Sequence, residues 1–330
     1  MPASVVLGVG AHRPARLVTN DELSAALGST PARILEATGV EIRHRAEPGH
    51  GPSDLATLAA RVALERAGAQ PGDVDLIVFA TVTPDMAFPG AGCFLQDKLG
   101  CAPVGALDVR AQCAGFVYAL ATADRFVRSG KARRALVCAG EVHSSGLDYT
   151  PRGAAVTPWF GDGAGVVLLG DGAEPGVLAT VLHNDPTEYR RFWCEFPSSR
   201  HHPARMQRAQ YEAGLHYYVL DPEAMAGQAE DTLVATLDEV LAAAGVAGDD
   251  VALHLVHYLD HRVARRAAER AGLPDDRVVA TAAAAGHVST AGIPIALAEA
   301  IEAGRVGQGD LVACVAFGAG MASGGAVMRL

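Results

Sequence analysis

Apolar positions recur along this chain with two different periods. Phe116, Val117, Leu120, Ala123, Phe126 and Val127 stand three and four apart, which predicts a helix from just after Cys113 to about Gly130. Gly130, with Lys131 and Arg133 beside it, supplies the stop: a glycine at the end and cations near the negative dipole end. Cap signals and spacing predict further helices over Asn20–Leu27, Pro31–Thr38, Ser53–Ala67 and Ala91–Leu99. Short apolar runs at Ser4–Val9, Val74–Val82, Ala135–Ala139, Val166–Leu169, VALHLVHYLD (from Val251) and Leu311–Phe317 read as strands. The run 74–82 is apolar on both faces, as a central strand would be. Gly8-Val9-Gly10 ends the first strand but lacks the third glycine of a dinucleotide loop, and Arg13-Pro14 stands where its helix should begin.

The same order of features occurs twice. Ala67-Gly68 precedes Val74 by seven residues, and Ala244-Gly245 precedes Val251 by seven, each approach carrying acidic turn residues before an apolar strand. Cys113 lies seventeen residues before Gly130, and His287 seventeen before Gly304; each helix-like segment is followed by another strand. This predicts two halves of one topology, residues 1–173 and 174–330, with Cys113 and His287 at equivalent helix starts and His257 at a strand end between them. The segment Leu182–Ala226 fits neither half. It is rich in Arg, His, Tyr and Pro, and we read about 183–226 as an inserted, partly irregular segment suited to substrate selection. His201-His202 within it has no acidic or cysteine partner at ligand spacing, so it reads as a surface loop, and no metal site is expected.

Composition narrows the class. Of 330 residues, half are hydrophobic but only 5% aromatic, and the small residues that remain suit close helix–sheet packing in an α/β protein. A net charge of −10 argues against general affinity for nucleic acid or anionic membrane. Six cysteines without a CxxC pair suggest reduced thiols. With no signal-peptide pattern and no apolar run near the roughly eighteen residues of a membrane span, a soluble cytoplasmic protein is expected.

Cys113 is the one residue here with nucleophilic promise. At a helix start it would feel the positive dipole end and unpaired N–H groups, which favour the thiolate. Taken alone it reads first as a small buried hydrophobe, the fate of most free cysteines. A thiol beside an imidazole is the set that nucleophilic thiol catalysis needs. His257 and His287 are the imidazoles that the repeat brings to the same junction. Taken singly, His257 beside Leu255 and Val256 reads equally as a satisfied core histidine, and His287 as a helix cap.

These residues carry a resemblance. DVRAQCAGF around Cys113, WFGDGAGVVLLG, LVHYLDHR around His257, AAGHVSTAGIP around His287 and the final AFGAGMASGGAVMRL resemble the signature blocks of the β-ketoacyl-ACP synthase III family of the thiolase superfamily. The blocks come in the right order and cover nearly everything except about 183–235. The resemblance implies a thiolase-like αβαβα five-layered fold of two duplicated halves, and a homodimer. It implies that Cys113 accepts the acyl group, that His257 is a catalytic imidazole, and that the backbone N–H groups of Cys113 and Ala319 form the oxyanion hole. Phe88, reaching the partner subunit, and Met321 would lie at the acyl pocket, and Arg152 in the pantetheine or CoA phosphate region. No permanently bound cofactor is implied; the substrate is an acyl-CoA or a phosphopantetheine-carrier thioester.

The departures from the family matter as much. His287 holds the place of the family's catalytic asparagine, which makes a Cys-His-His set like that of the elongating ketosynthases. Two neutral imidazoles can still stabilise the enolate left when a malonyl group loses CO2. The family's Trp and Arg that clamp the CoA adenine match Arg33 and Ala37, which weakens that site. Asp260 replaces an asparagine after the catalytic histidine, and a carboxylate beside His257 would favour its charged form. Arg262, Arg265, Arg266 and Arg270 recur at three- and four-residue spacing after His257, a basic face suited to an acidic acyl carrier protein, with Arg262 at a family docking position. The same stripe reads alternatively as a solvated helix face. The leading expectation is decarboxylative Claisen condensation in fatty acid or polyketide biosynthesis. Its rivals are acyl transfer from Cys113 to a hydroxyl or amine, and a non-catalytic partner subunit of a ketosynthase heterodimer.

Overall fold

The computed structural model describes residues 3–283 and 285–330; Ala284, which opens the AAGHVSTAGIP block, lies outside the described residues. Ten strands form two five-stranded sheets. The first orders β1 (Ala3–His12), β7 (Asp162–Gly172), β6 (Arg134–Val142), β4 (Leu76–Ala80) and β5 (Gly105–Val109). The second orders β8 (Val177–Asn184), β14 (Ala322–Arg329), β13 (Leu311–Gly318), β11 (Leu253–His257) and β12 (Val278–Ala280). Across each sheet the pairings run antiparallel, antiparallel, parallel, parallel. One topology is therefore built twice. Two small ribbons complete the strands: β2 (Arg16–Thr19) with β3 (Ile42–Arg45), and β9 (Phe192–Trp193) with β10 (Val219–Leu220).

Period-2 alternation in the buried strands explains the layering. In β4, Ile77 and Phe79 face one way, into a core shared with α3 (Pro52–Arg66) and α4 (Ala91–Leu99). Leu76, Val78 and Ala80 face the other way, onto α5 (Gly115–Arg128) and α9 (Gly292–Glu302), which lie between the sheets. Leu253 and Leu255 of β11 meet that same central core from the second sheet. Val256 and the outward residues of β13 pack instead on α7 (Pro222–Ala244) and α8 (His261–Arg270). The result is five layers, helix–sheet–helix–sheet–helix, as the resemblance implied.

The predicted helices over Asn20–Leu27 (α1), Pro31–Thr38 (α2) and Ala91–Leu99 have the observed bounds, because each carries a side-chain N-cap, a proline start or a glycine C-cap that fixes an end. Gly8 and Gly10 serve packing: a Cβ at either would come within 2.2 Å of a carbonyl oxygen of α3. Two expectations need correction. The irregular segment starts later and ends earlier than 183–226, since β8 continues to Asn184 by pairing His183 with Ser323, and α7 begins at Pro222 under an Asp221 cap. Between them lie short turns, the β9–β10 ribbon and α6 (Arg208–Glu212). Cys113 and His287 are also not equivalents. Gln112 and Ser289 each open a three-residue 3-10 turn at φ 44° and 42°, directly ahead of α5 and α9. The counterpart of Cys113 is thus Thr290, and α9, at 11 residues against 14 for α5, makes up the three-residue offset that the equal spacing to glycine concealed.

Among the described residues no helix is long and apolar enough to cross a membrane.

Candidate active site

Three turns meet at the centre of the molecule. The turn before α5 presents Cys113, the end of β11 presents His257, and the approach to α9 presents His287. All three are buried, at 2%, 0% and 0% exposure, and one donor atom from each lies within 4.8 Å of the others. Cys113 Sγ stands 3.3 Å from His287 Nε2, and the Ser289 hydroxyl donates to the sulfur at 3.7 Å. The two imidazoles stack with centroids 4.8 Å apart and planes 12° from parallel. His257 Nδ1 shares a hydrogen bond with Thr281 Oγ1, while its Nε2 has no partner among the described residues.

Close packing enforces this arrangement. A Cβ at Gly318 would fall 2.5 Å from both Cβ and Sγ of Cys113, and one at Gly292 would fall 2.3 Å from the His257 ring. Both positions therefore require glycine. The backbone N–H of Ala319 reaches the Cys113 sulfur from the turn after Gly318.

Burial sets the charges. It pushes the Cys113 thiol up to about 11, outweighing the Ser289 hydroxyl and the Ala319 N–H that pull it down; the nearby Glu141 adds to the rise. Burial likewise takes His257 down to about 4, and holds His287 well below the usual imidazole range, with the neighbouring His257 and His143 adding to the effect. At neutral pH the trio is one thiol and two uncharged imidazoles. The expectation of a dipole-stabilised thiolate is corrected accordingly.

Glu141 was not foreseen, although a lone charge inside the apolar run LVCAGEV was a signal. Its buried carboxylate accepts from Thr290 Oγ1 at 2.7 Å, Thr83 Oγ1 at 2.6 Å and the Val82 N–H at 3.2 Å. It thereby ties the start of α9 to the loop after β4. Burial raises it to about 7 against those hydrogen bonds. Thr281, Ser289, His143 and Tyr218 were also missed, because their roles depend on which rings they face.

Beside the trio is a cavity of about 280 Å³ lined by Gln112, Ser289, Ala319 and Gly320 on one side and by Phe192 and Tyr218 of the irregular segment on another. Arg110, exposed, also lines it. A larger cavity of about 550 Å³ sits against β1 and the C-terminal strand and contains none of the trio.

Other expected site residues have different surroundings. Asp260 does not act on His257: it caps α8 by accepting from the Arg262 N–H at 2.9 Å and forks the Arg262 guanidinium, which also donates to the Glu36 and Ala37 carbonyls at the end of α2. The basic stripe is neutralised. Arg265 pairs with Asp275, Arg266 with Glu230, and Arg270 with Glu230 and Asp231. Arg152 is held by Asp148, by the Ala213 carbonyl at 3.0 Å and by the Tyr217 ring at 5.4 Å, so it fastens the irregular segment to the body. Phe88 is 78% exposed, whereas Met321 is buried. Arg33 and Ala37 lie on α2. His201 pairs with Glu195 at 2.9 Å.

Comparison with known proteins gives a consistent result. Residues 107–186 match the 3-oxoacyl-[acyl-carrier-protein] synthase III model, and residues 241–330 match the model of that family's C-terminal part. The chain is 40% identical over 332 residues to the β-ketoacyl-[acyl-carrier-protein] synthase III of Rhodospirillum centenum, covering 99% of this chain and 98% of that one. Among solved structures, the 3-oxoacyl-(acyl carrier protein) synthase III of Pseudomonas aeruginosa superposes with a TM-score of 0.88 at 33% identity, covering 99% of this chain and 98% of the other. The priming β-ketosynthase of a polyketide biosynthetic pathway superposes at 0.90 with 30% identity, covering 99% and 96%. With its layered fold, its buried thiol and matches spanning both sheets, the chain belongs to the 3-oxoacyl-[acyl-carrier-protein] synthase III family.

Proposed function

We propose that the protein takes an acyl group from a CoA or carrier-protein thioester onto Cys113 and condenses it with a malonyl-type extender by decarboxylation. The observation that carries this reading is the buried trio, a thiol 3.3 Å from one imidazole with a second imidazole stacked on the first. The names of its relatives support the same chemistry.

The sulfur attacks the thioester carbonyl as its proton passes to His287 Nε2, and from there to the departing thiolate. The N–H groups of Cys113 and Ala319 hold the oxyanion. In the second half, the bond from the malonyl carbon to its carboxylate breaks and CO2 leaves. The electron pair becomes an enolate whose oxygen is held by the uncharged His257 Nε2–H. We assign the Thr281 hydroxyl as donor to His257 Nδ1, which places the ring proton on Nε2, the nitrogen without a partner among the described residues. The enolate carbon then attacks the acyl-Cys113 carbonyl, and the sulfur leaves as a thiolate and takes up one proton from solvent. No resident cofactor takes part.

The chain works as two halves meeting near residues 173 and 174, the nucleophile in the first and both imidazoles in the second. It acts as a homodimer in the cytoplasm, a reading supported by the open edge of β5, the exposed Phe88 and six free cysteines. The carrier protein docks by exchanging its acidic groups for those now paired with Arg265, Arg266 and Arg270, exposed pairs that water and salt screen.

Intact-mass measurement after incubation with acyl-CoA and acyl-carrier donors tests the first half. Acylation is expected on the wild type and lost in Cys113→Ala. Adding malonyl-carrier must then yield CO2 and a β-ketoacyl thioester. Acylation without condensation would refute the Claisen step and point to transfer onto a hydroxyl or amine instead.

A further inference from the structure

The cavity beside the trio is walled by aromatic rings but is not wholly apolar. His143, 1% exposed, lines it and packs on Phe160 at 4.8 Å between ring centroids, while Phe160 packs in turn on His287 at 5.6 Å. His143 Nδ1 meets the Tyr218 hydroxyl at 3.3 Å. Its Nε2 is buried and has no partner among the described residues. Buried polar atoms are nearly always hydrogen-bonded, and this one belongs to a ring that lines the cavity, so a ligand atom there would satisfy it. A hydroxyl both donates and accepts, and we assign Tyr218 as the donor to Nδ1. The ring proton then sits on Nε2, which is a donor.

We propose that this cavity receives the acyl chain bound for Cys113 and selects one bearing an acceptor oxygen (hydroxyl, ether or carbonyl) within a few bonds of the thioester. His143 Nε2–H is the reader, and Tyr218 is the positioning residue that fixes its tautomer. The inference rests on Cys113 being the acyl acceptor and adds the chemical class of the chain. The single Phe160 ring separates His143 from His287, at 4.8 and 5.6 Å between centroids, which puts the oxygen read by His143 within a few bonds of the reacting carbon. Phe192 and Tyr218 supply the apolar walls along the rest of the chain. Burial also holds His143 at about 3, so it stays an uncharged donor throughout the working range. A site built to hydrogen-bond an oxygen discriminates strongly against an isostere without it.

The test is an oxygen scan. Acylation of Cys113 is followed by intact mass with hexanoyl-CoA and with its 3-oxa, 4-oxa and 5-oxa analogues, which differ only by oxygen for CH2. We expect one oxa position to exceed hexanoyl by about tenfold or more in kcat/KM. His143→Phe should bring that ratio to about one, and His143→Gln, which retains a donor, should restore part of it. Tyr218→Phe should lower the ratio by freeing the tautomer. Thermal melting of each variant confirms that the ratios come from folded protein. Preference for hexanoyl over every analogue overturns the proposal. So does a uniform fall across all four thioesters in His143→Phe, which would assign the donor to the shared pantetheine arm. If none of the four acylates Cys113, the acyl-acceptor reading fails first and this inference with it.

Discussion

Acid should weaken this fold steeply through three histidines that carry no charge. Burial holds His143 at about 3, His257 at about 4, and His287 well below its usual value. In the unfolded chain each binds a proton below about pH 6.5. Because the folded-state values are depressed, this contribution is complete above about 6.5 and is lost as pH falls. Glu141 opposes it. Its folded value is raised to about 7, so the native state holds a proton that the unfolded chain takes up only near pH 4.5, and this contribution grows as pH falls from 7. Between pH 6 and 5 the unfolded chain thus binds about three protons at the histidines against about one at Glu141 in the native state. A net difference of about two protons corresponds to a loss of roughly 2.7 kcal/mol per pH unit. That is a large share of the ordinary 5–15 kcal/mol of a folded protein, roughly speaking. His12, His254 and His261 are lowered too and act in the same direction. The assay is urea unfolding at fixed protein concentration from pH 6.5 to 5.0. Glu141→Gln should steepen the slope to about 4 kcal/mol per unit, and His143→Phe should reduce the wild-type slope by about 1.4. A wild-type slope under about 1 kcal/mol per pH unit, or one indifferent to Glu141→Gln, refutes the reasoning.

Three further outcomes are expected. Gly318→Ala puts a methyl 2.5 Å from the Cys113 sulfur, so acylation measured by intact mass should slow about a hundredfold in a protein that still folds. Thr281→Val removes the hydroxyl at His257 Nδ1; condensation kcat should fall about tenfold, while the acylation half-reaction, timed separately, changes less than about twofold. Arg152→Ala releases the Ala213 carbonyl and the Tyr217 ring, and limited proteolysis within residues 185–221 should quicken about tenfold while the two sheets stay resistant.

Most of the fold was legible because its signals are local. The Pro31 start and Gly39 end of α2, and the all-buried run of β4, need only neighbouring residues to be read. Register between halves is not local. Ala-Gly spacings matched Cys113 to His287, whereas the positive φ of Gln112 and Ser289 matches Cys113 to Thr290, and no spacing rule carries a backbone angle. The trio was found through family blocks, but its protonation was not, since burial comes from both sheets at once. The basic stripe on α8 shows the same limit. Its period is visible in sequence, while its acidic partners Glu230 and Asp231 come from α7, more than thirty residues earlier in the chain.

The state of Cys113 turns on two magnitudes. A helix start favours an anion by about 0.3–1 kcal/mol, and about 2 kcal/mol in the best partly buried geometries. The rise of the thiol from 9.0 to about 11 corresponds to roughly 2.7 kcal/mol against the anion, with the local N–H and hydroxyl groups already included. Desolvation wins. Cys113 also sits in the 3-10 turn ahead of α5, two residues short of the helix proper, where the dipole acts less directly. The nucleophile therefore waits as a thiol, and the carbon–sulfur bond must form as the proton leaves. That requirement explains an imidazole 3.3 Å from the sulfur in a site where no imidazole is charged. An asparagine amide has no basic nitrogen, so it could hold a carbonyl through its NH2 but could not take this proton. His287→Asn should accordingly slow acylation itself, with its dependence on pH moving toward that of a free thiol, and not the condensation step alone.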